Sequence, residues 1–298
     1  MITVLWVMAI ATTVALAGSL AGRTTVSAAR NRVQAERALW SAIGCARTAQ
    51  AEIDAMLGSA PTLDEDALIW RTLEQRVVAR QSSPRWPCDV RLEAAGAKLD
   101  VNSATPDMIA ALLRAMGETD AHASEMAAAL SDWRDTDEVE SPVGAERAWY
   151  ASAMRTLPRN GPLADIRELA LVRGFENPRF EQVFTTETGR VSLVHASAIV
   201  LAAVPGFTRE TADLIASLAE AGHPVTDASA VTGRLTSESA AELMAHYPEI
   251  VKTTTGDPDA WFLEVRAWNG EPRTTVILRW RLVRTGRRCS VVSSRTVL

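Results

Sequence analysis

The chain opens with MITVLWVMAIATTVALAGSLAG, residues 1–22, and this stretch contains no charged side chain. A helix of that length spans about 33 Å, which is enough to cross a hydrocarbon core of about 30 Å. A secretory signal usually places basic residues before a shorter apolar run, whereas the first ionisable side chain here is Arg23. The stretch therefore predicts an uncleaved membrane anchor.

The helical pattern continues beyond the anchor. Apolar residues recur three and four positions apart from Gln34 to Leu57, and no proline occurs between Met1 and Pro61. We expect a single helix of about 85 Å, whose outer half has an apolar stripe to bury. The stripe comprises Ala35, Ala38, Leu39, Ala42, Ile43, Ala46, Ala49, Ile53, Met56 and Leu57.

Basic residues directly after the anchor raise a question of orientation. Arg23, Arg30, Arg32 and Arg37 follow it, and by the positive-inside rule they favour a cytoplasmic soluble part. The rule compares both flanks of a span, and this sequence has no flank before Met1. We expect either that the soluble part faces the cytoplasm or that a basic leader is missing from the sequence.

Two kinds of pattern divide the rest of the chain. Residues 86–101 and the stretches WFLEVRAW, TTVILRWRLVR and CSVVSSRTVL alternate apolar with polar side chains, and Asn269-Gly270 is a typical hairpin turn. Residues 102–249 are instead rich in Ala and Leu at helical spacing. The sequence therefore predicts an α+β fold in which a helical block is inserted into a small antiparallel sheet.

These changes of pattern give the predicted boundaries. They are a transmembrane helix at 1–22, its amphipathic continuation at 23–57, the first part of the sheet domain at 58–101, an inserted all-α domain at 102–249 and terminal strands at 250–298.

Two segments of the helical block are similar to each other. NSATPDMIAALLRAMG (102–117) and SLVHASAIVLAAVPG (192–206) each lead from a polar cap through an apolar helix to a glycine, and a second helix follows. LAAVPGFTRETADLIASL is thus a candidate helix-hairpin-helix, which can offer backbone N–H groups to a phosphate. Residues 101–249 carry 22 Asp and Glu against 11 Lys and Arg, so nucleic acid is not an expected partner.

Motifs typical of catalysis are absent from the sequence. There is no GxSxG elbow, HExxH pair, phosphate loop or CxxC, and the four histidines lie in unrelated contexts. We therefore do not expect an enzyme. The acidic stretch DWRDTDEVESPVGAE, residues 132–146, leaves three interpretations open: paired catalytic carboxylates, a metal loop, or a solvated acidic surface.

The three cysteines form an odd set. Cys88 and Cys289 both fall in predicted strands of the sheet domain, so a disulfide between them is compatible with the expected geometry in an oxidising compartment. Cys45 lies on the long helix, where we expect a small buried apolar residue. The sequence does not establish the pairing.

Four segments occur in a characteristic order: VLWVMAIAT (4–12), LDVNSATPDMIAALLRAMG (99–117), LSDWRDTDEVESPVGAERAWY (130–150) and PLADIRELALVRGF (162–175). Together with the terminal strands they resemble the K-type minor pseudopilins of the bacterial type II secretion system. The resemblance covers nearly the whole chain. It implies a pilin-like fold, in which a long N-terminal helix packs on a small antiparallel sheet and a large helical domain is inserted.

The resemblance also bears on the orientation of the chain. Family members are made with a short basic leader that the prepilin peptidase removes, and their soluble domain lies in the periplasm. We therefore expect a single-pass inner-membrane protein with a periplasmic soluble domain. Met1 would lie a few residues inside the usual mature start, and the leader would be missing from this sequence.

The implied function is that of a minor pseudopilin at the tip of the pseudopilus, with a role in protein export across the outer membrane. We expect I- and J-type minor pseudopilins to bind the apolar stripe at Leu39, Ala42, Ile43, Ala46 and Ile53. Secreted proteins are further candidate partners. The alternative is a membrane-anchored helix-hairpin-helix DNA-binding protein of the competence type, which shares the anchor and the hairpin.

A structural calcium ion in the helical insertion is the last implication of the resemblance. The predicted ligands are Asp132, Asp135, Asp137 and Glu146, while Glu138 and Glu140 face water. The alternative is a loop that folds without metal, with Asp132 and Asp135 paired to Arg134, Arg147 or Arg155.

Overall fold

A computed structural model describes residues 2–59, 88–256, 260–270, 273–286 and 288–297. A single α-helix, α1 (Ile2–Ser59), forms the N-terminal part of the chain. Its most apolar 18 residues have a mean hydropathy of 2.0, and within the described residues it is the one helix long and apolar enough to cross a membrane. The predicted continuation of the anchor into one long helix is confirmed.

The other elements are short by comparison. The strands are β1 (Cys88–Ala94), β2 (Leu99–Asp100), β3 (Phe184–Thr185), β4 (Val191–Ser192), β5 (Thr254–Thr255), β6 (Trp261–Asn269), β7 (Thr274–Thr285) and β8 (Arg288–Val297). The remaining α-helices are α2 (Pro106–Ala115), α3 (Asp120–Arg134), α4 (Arg147–Ser152), α5 (Ala198–Leu201), α6 (Arg209–Glu220), α7 (Ser237–Ala245) and α8 (Tyr247–Thr253). Three 3-10 helices lie at Ile166–Leu171, Pro178–Gln182 and Ala228–Arg234.

Four of the strands form an antiparallel sheet in the order β1-β6-β7-β8. Residue Cys88 pairs with Ala267 on β6, although 179 positions separate them in sequence. The residues between β1 and β6 are therefore inserted between two neighbouring strands of one antiparallel sheet. The predicted α+β fold, with a long helix and a small antiparallel sheet, is confirmed.

The outer half of α1 lies across this sheet. Alternate residues of β6 and β7 face the helix because successive side chains of a strand point to opposite faces. Their buried side chains form one core with the helix: Ala42, Cys45, Ala46, Ala49, Ile53 and Leu57 from α1, and Val90, Leu92, Trp261, Leu263, Val265, Leu278, Trp280 and Leu282 from the strands. Arg47 also stacks over the Trp280 ring, with its guanidinium carbon 4.8 Å from the ring centroid.

The helical block has a separate core, built around α2, α3 and α6. Trp133, Tyr150, Phe175, Phe180 and Phe184 are almost completely buried in it. The two predicted hairpins are confirmed: Thr105 and Ser197 cap α2 and α5 with their side chains. Gly117 directly follows the cap of α2 and has a φ of 96°, as expected for the residue that closes a helix. Gly206 also has a positive φ, 78°, but α5 already ends with the cap Ala202, so Gly206 lies in the turn of the hairpin and does not close the helix.

A tight turn connects the helical block to the sheet. Gly96 has a φ of 83°, and a Cβ at this position would lie 1.8 Å from the Arg190 carbonyl oxygen. The Gly96 carbonyl in turn accepts from the Ser192 backbone N–H at 2.9 Å. Only glycine allows both the left-handed backbone and the close approach, so this residue fixes the two parts of the chain together.

A disulfide joins Cys45 of α1 to Cys88 of β1, with their Cα atoms 6.9 Å apart. The expectations for the cysteines are therefore wrong: Cys45 is not an unpaired apolar residue, and Cys289 is the buried free thiol. β1 and β8 lie at opposite edges of the four-stranded sheet. Three strand spacings of about 4.8 Å separate them, which exceeds the reach of a disulfide.

The free thiol of Cys289 is chemically inert where it lies. Burial, together with the nearby charge of Asp54, raises its pKa to about 12. Its neighbours are satisfied, because the Cys289 backbone N–H donates to Asp54 Oδ1 at 2.6 Å and its carbonyl accepts from Gln50 at 2.9 Å. A thiol with so high a pKa stays protonated at neutral pH and does not compete for the disulfide.

Loss of the disulfide should destabilise the contact between α1 and the sheet. Cys45→Ser, or reduction of the wild type, is expected to lower the free energy of unfolding by about 4 kcal/mol, because the crosslink closes a loop of 43 residues in the unfolded chain. Thermal unfolding with and without reductant measures the effect. Cys289→Ser is the matched control, and its sensitivity to reductant should equal that of the wild type; a reductant-insensitive wild type would contradict the pairing.

Candidate functional site

The acidic loop lies between the end of α3 and the start of α4. Asp132 is in the last turn of α3 and Asp135 is its C-terminal cap, while Glu146 is the N-terminal cap of α4. Asp132 is completely buried, and Glu146 is only 3% exposed. The helix ends therefore bring carboxylates that are up to 14 positions apart to one place.

Carboxylate oxygens of Asp132, Asp135 and Glu146 all lie within 4.8 Å of one another. Within the described parts of the chain, this is the one group of three or more acidic, histidine or cysteine side chains close enough to share a metal ion. Three of the four predicted ligands are thus brought together. Two of the three are buried, so the interpretation as a solvated acidic surface does not describe them.

Backbone contacts fix Asp132 in this position. Its Oδ2 accepts from the Ala145 backbone N–H at 2.8 Å, and its carboxylate also accepts from the N–H of Ser141. Gly144 lies directly against it, and a Cβ at this position would be 2.0 Å from Asp132 Oδ2. Gly144 is therefore required for the loop to fold back onto the carboxylate.

Two oxygens in the cluster have no donor. Asp135 Oδ1 and Glu146 Oε1 are buried without a hydrogen-bond partner. Burial raises the pKa of both carboxyls, and the neighbouring carboxylates raise it further. Unpaired buried acceptors with repelling charges are costly, so the cluster is an arrangement that a cation would stabilise.

The three arginines that could neutralise the cluster bind other groups. Arg134 donates to the carbonyl oxygens of Val101 and Ala104. Arg147 pairs with Glu138 at 3.0 Å, and Arg155 pairs with Glu176 at 2.5 Å. The metal-free alternative, in which these arginines pair with Asp132 or Asp135, does not match these contacts.

The other acidic residues of the loop lie outside the cluster. Asp137 Oδ1 accepts from the Val139 backbone N–H at 2.8 Å, and Asp137 is not part of the group of three. Glu138 pairs with Arg147, and Glu140 is exposed. Asp137 as a metal ligand therefore remains a prediction, without the geometric support that the other three have.

Neutralising one carboxylate should have opposite effects with and without metal. In EDTA at pH 7, Asp135→Asn is expected to raise the melting temperature, because the raised pKa shows that the ionised carboxyl is disfavoured in the folded state. The gain should shrink as the pH falls towards the ordinary carboxyl value of 3.8, where the wild-type group becomes protonated. With calcium present, the same variant should melt below the wild type. A variant less stable than the wild type in EDTA at pH 7 would contradict the repulsion.

The partner surface predicted on α1 needs correction. Ala42, Ala46 and Ile53 are buried in the contact between α1 and the chain's own sheet, with relative exposures of 0%, 1% and 0%. No second protein can reach them there. Leu39 and Ile43 lie at the margin of this contact and are half-buried. The apolar stripe was assigned to a partner because the sequence does not indicate which surface the sheet covers.

The opposite side of α1 presents a different face, which we call the Trp40 face. It comprises Val33, Trp40, Gly44, Ala51 and Gly58, which recur at intervals of seven and four. Trp40 is 66% exposed and Val33 is 50% exposed. A large aromatic residue beside small ones at helical spacing is suited to close packing against another helix.

The candidate helix-hairpin-helix lacks the charge for a nucleic-acid site. Arg209 lies beside it and is exposed, but its Nε is 3.8 Å from Asp213. The turn residue Gly206 packs against the His246 side chain, which a Cβ at Gly206 would meet at 2.4 Å. The hairpin thus serves as a structural unit of the helical block.

The fold defines a class of protein: a pilin-like subunit with a long N-terminal helix that is a candidate membrane span, and with a sheet that is interrupted by a large helical block. Residues 90–184 match the family model described as Type II secretion system (T2SS), protein K. The match covers about a third of the chain, and over these residues the chain is similar to protein K of that secretion system. This family is a structural component of secretion machinery.

The structural comparison agrees with this fold. A chain of the crystal structure of the GspK-GspI-GspJ complex from enterotoxigenic Escherichia coli superposes with a TM-score of 0.56 and 17% sequence identity. The match covers 88% of this chain and 96% of that chain. No curated protein sequence matches the chain. Neither comparison favours a competence-type DNA-binding protein.

Proposed function

We propose that this chain is a minor pseudopilin of the type II secretion system and occupies the tip of the pseudopilus, with α1 anchored in the inner membrane and the sheet and helical block in the periplasm. The observation that carries the proposal is the size of the insertion, which runs from the end of β1 at Ala94 to the start of β6 at Trp261. A block of that size on one subunit would obstruct a further subunit stacked above it. An end position avoids this conflict.

The anchor supports the same position. A carboxylate inside the membrane is costly unless it is paired, so a glutamate there favours contact with a neighbouring subunit's terminal amine. Residues 1–35 contain no acidic side chain, and Glu36 lies well beyond the apolar segment. The apolar segment at residues 1–22 can therefore pack by its apolar surface but offers no such carboxylate to a neighbour.

The proposed partners are the I- and J-type minor pseudopilins. The structural neighbour comes from a complex described with GspI and GspJ, and we infer an equivalent assembly here. The Trp40 face is the proposed contact, because it continues the exposed apolar surface of the anchor along the same helix, through Val26 and Val33 to Trp40. The proposed binding partner of the Trp40 face is an apolar face on a helix of a second pseudopilin.

Further partners follow from the same function. The prepilin peptidase would act on a leader during maturation, and secreted proteins would meet the subunit on its periplasmic side. Neither contact involves a residue identified in the structure, so both rest on the family alone.

Calcium is the proposed cofactor of the acidic loop. It binds six to eight oxygens and accepts carboxylates, carbonyls and water, which suits Asp132, Asp135 and Glu146. When bound, the ion would neutralise part of the negative charge of the cluster. The three carboxylates lie at the end of α3 and the start of α4. A shared ion would therefore hold the two helix ends in a fixed arrangement.

Secretion by living cells tests the proposed function. Deletion of the gene should leave type II substrates in the periplasm, and the wild-type gene should restore their release into the medium. DNA uptake, measured in the same strains, distinguishes the competence-type alternative. Normal secretion combined with lost DNA uptake would overturn the proposal.

A further inference from the structure

Asn160 contacts the acidic loop from a segment that lies beyond α4. Its side-chain Nδ2 donates to the Asp137 carbonyl oxygen at 2.7 Å, across 23 positions of sequence. Its backbone has a φ of 51°, a conformation that asparagine adopts more readily than most residues. The side chain is therefore fixed against the loop at a defined point.

The orientation of the amide follows from this contact. A carbonyl oxygen can only accept a hydrogen bond, so the amide nitrogen of Asn160 must face Asp137 and its oxygen must point elsewhere. That oxygen, Oδ1, is buried and has no hydrogen-bond partner. A buried acceptor left unpaired costs about 1–3 kcal/mol, so a native structure that keeps one usually provides a ligand for it.

The acidic cluster contains two further oxygens in the same condition, Asp135 Oδ1 and Glu146 Oε1. Asp137 connects the cluster to Asn160, because it lies two positions after Asp135 and its carbonyl accepts from the asparagine. Three buried acceptors without donors therefore occur on one loop and on the residue bound to it.

We propose that Asn160 supplies its amide oxygen as a ligand to the same cation that Asp132, Asp135 and Glu146 hold, an inference that rests on the proposed calcium site. Calcium takes amide oxygens together with carboxylates. A neutral ligand also completes the coordination without adding repulsion to a cluster that already contains three acidic groups. No sequence pattern indicates this role, since Asn160-Gly161 has the pattern of an ordinary turn.

Two substitutions separate a ligand from a residue that only positions the loop. Asn160→Gly retains the left-handed backbone and removes both side-chain contacts. Asn160→Asp retains an oxygen and removes the N–H that binds Asp137. Calcium affinity of the full-length chain in detergent is measured by titration calorimetry, together with the melting temperature in EDTA and in calcium.

A ligand role predicts that Asn160→Gly weakens calcium binding about 10-fold and that Asn160→Asp restores it to the wild-type level or above. In EDTA, Asn160→Asp should melt at or below Asn160→Gly because it adds a carboxylate, and in calcium the order should reverse. Wild-type affinity in Asn160→Gly would overturn the proposal, as would an Asn160→Asp variant that binds as weakly as Asn160→Gly. A wild-type chain that binds no calcium would instead overturn the metal site itself.

Discussion

Glu146→Gln is expected to lower the calcium affinity of the full-length chain about 100-fold, because calcium affinity depends on the number of charged ligands. Glutamine keeps the shape of the side chain and can still cap α4, where Glu146 Oε2 accepts from the Arg147 backbone N–H at 3.1 Å. The substitution therefore changes the charge at Oε1 with little effect on the fold. Titration calorimetry in detergent measures the affinity.

The stabilisation of the fold by calcium should decrease together with the calcium affinity. Calcium at 100 times the wild-type Kd is expected to stabilise the wild-type chain by about 2.7 kcal/mol and the variant by about 0.4 kcal/mol. Glu140→Gln is the matched control, because Glu140 is an exposed glutamate of the same loop outside the cluster. Equal calcium responses in the two variants, or a wild type whose melting temperature does not change with calcium after chelation, would contradict the site.

Trp40→Ala is expected to weaken binding to the I- and J-type minor pseudopilins by about 30-fold or more, corresponding to about 2 kcal/mol. The reason is that Trp40 is the one large aromatic side chain on the described, exposed face of α1 outside the apolar anchor. The substitution should leave the fold intact, since the residue is 66% exposed and has no place in the core between α1 and the sheet.

The control for this variant is Met154→Ala. Met154 is 94% exposed but lies on the helical block, away from α1. Pull-down of the two partners by the tagged full-length chain, quantified by titration, should separate the variants. If Trp40→Ala and Met154→Ala both bound like the wild type, the partner would occupy another surface.

Several elements of the fold could be predicted because each depends on a local pattern. The helix from Ile2 to Ser59 follows from apolar spacing without proline, and the strands β6 to β8 follow from alternation around Asn269-Gly270. The caps at Thr105 and Ser197 follow from the same reasoning, since a hydroxyl before an apolar helix satisfies its first N–H groups.

Other features depend on contacts between distant segments, and no local pattern encodes them. The pairing of Cys45 with Cys88 requires knowledge of which strand α1 crosses, and the correction at Ala42, Ala46 and Ile53 has the same origin. A helix with an apolar stripe must bury it, but the stripe alone does not indicate whether the chain's own sheet or another protein covers it.

The acidic loop falls between these two cases. Its position and three of its four proposed ligands followed from the sequence and the family resemblance, because acidic side chains at two helix ends converge when the intervening chain turns. The turn itself depends on Gly144, which must approach Asp132, and the buried oxygen of Asn160 comes from a different segment. The close approach of Gly144 to Asp132 and the position of the Asn160 oxygen cannot be inferred from residue spacing.

The composition of the assembled complex tests the tip position most directly. The tagged full-length chain is purified in detergent from membranes that also contain the I- and J-type minor pseudopilins, and the complex is measured by native mass spectrometry. A tip subunit predicts a ternary complex with one copy of each protein, and no species with two or more copies of this chain. A chain recovered without the I- and J-type proteins, or as a series of its own multimers, would contradict it.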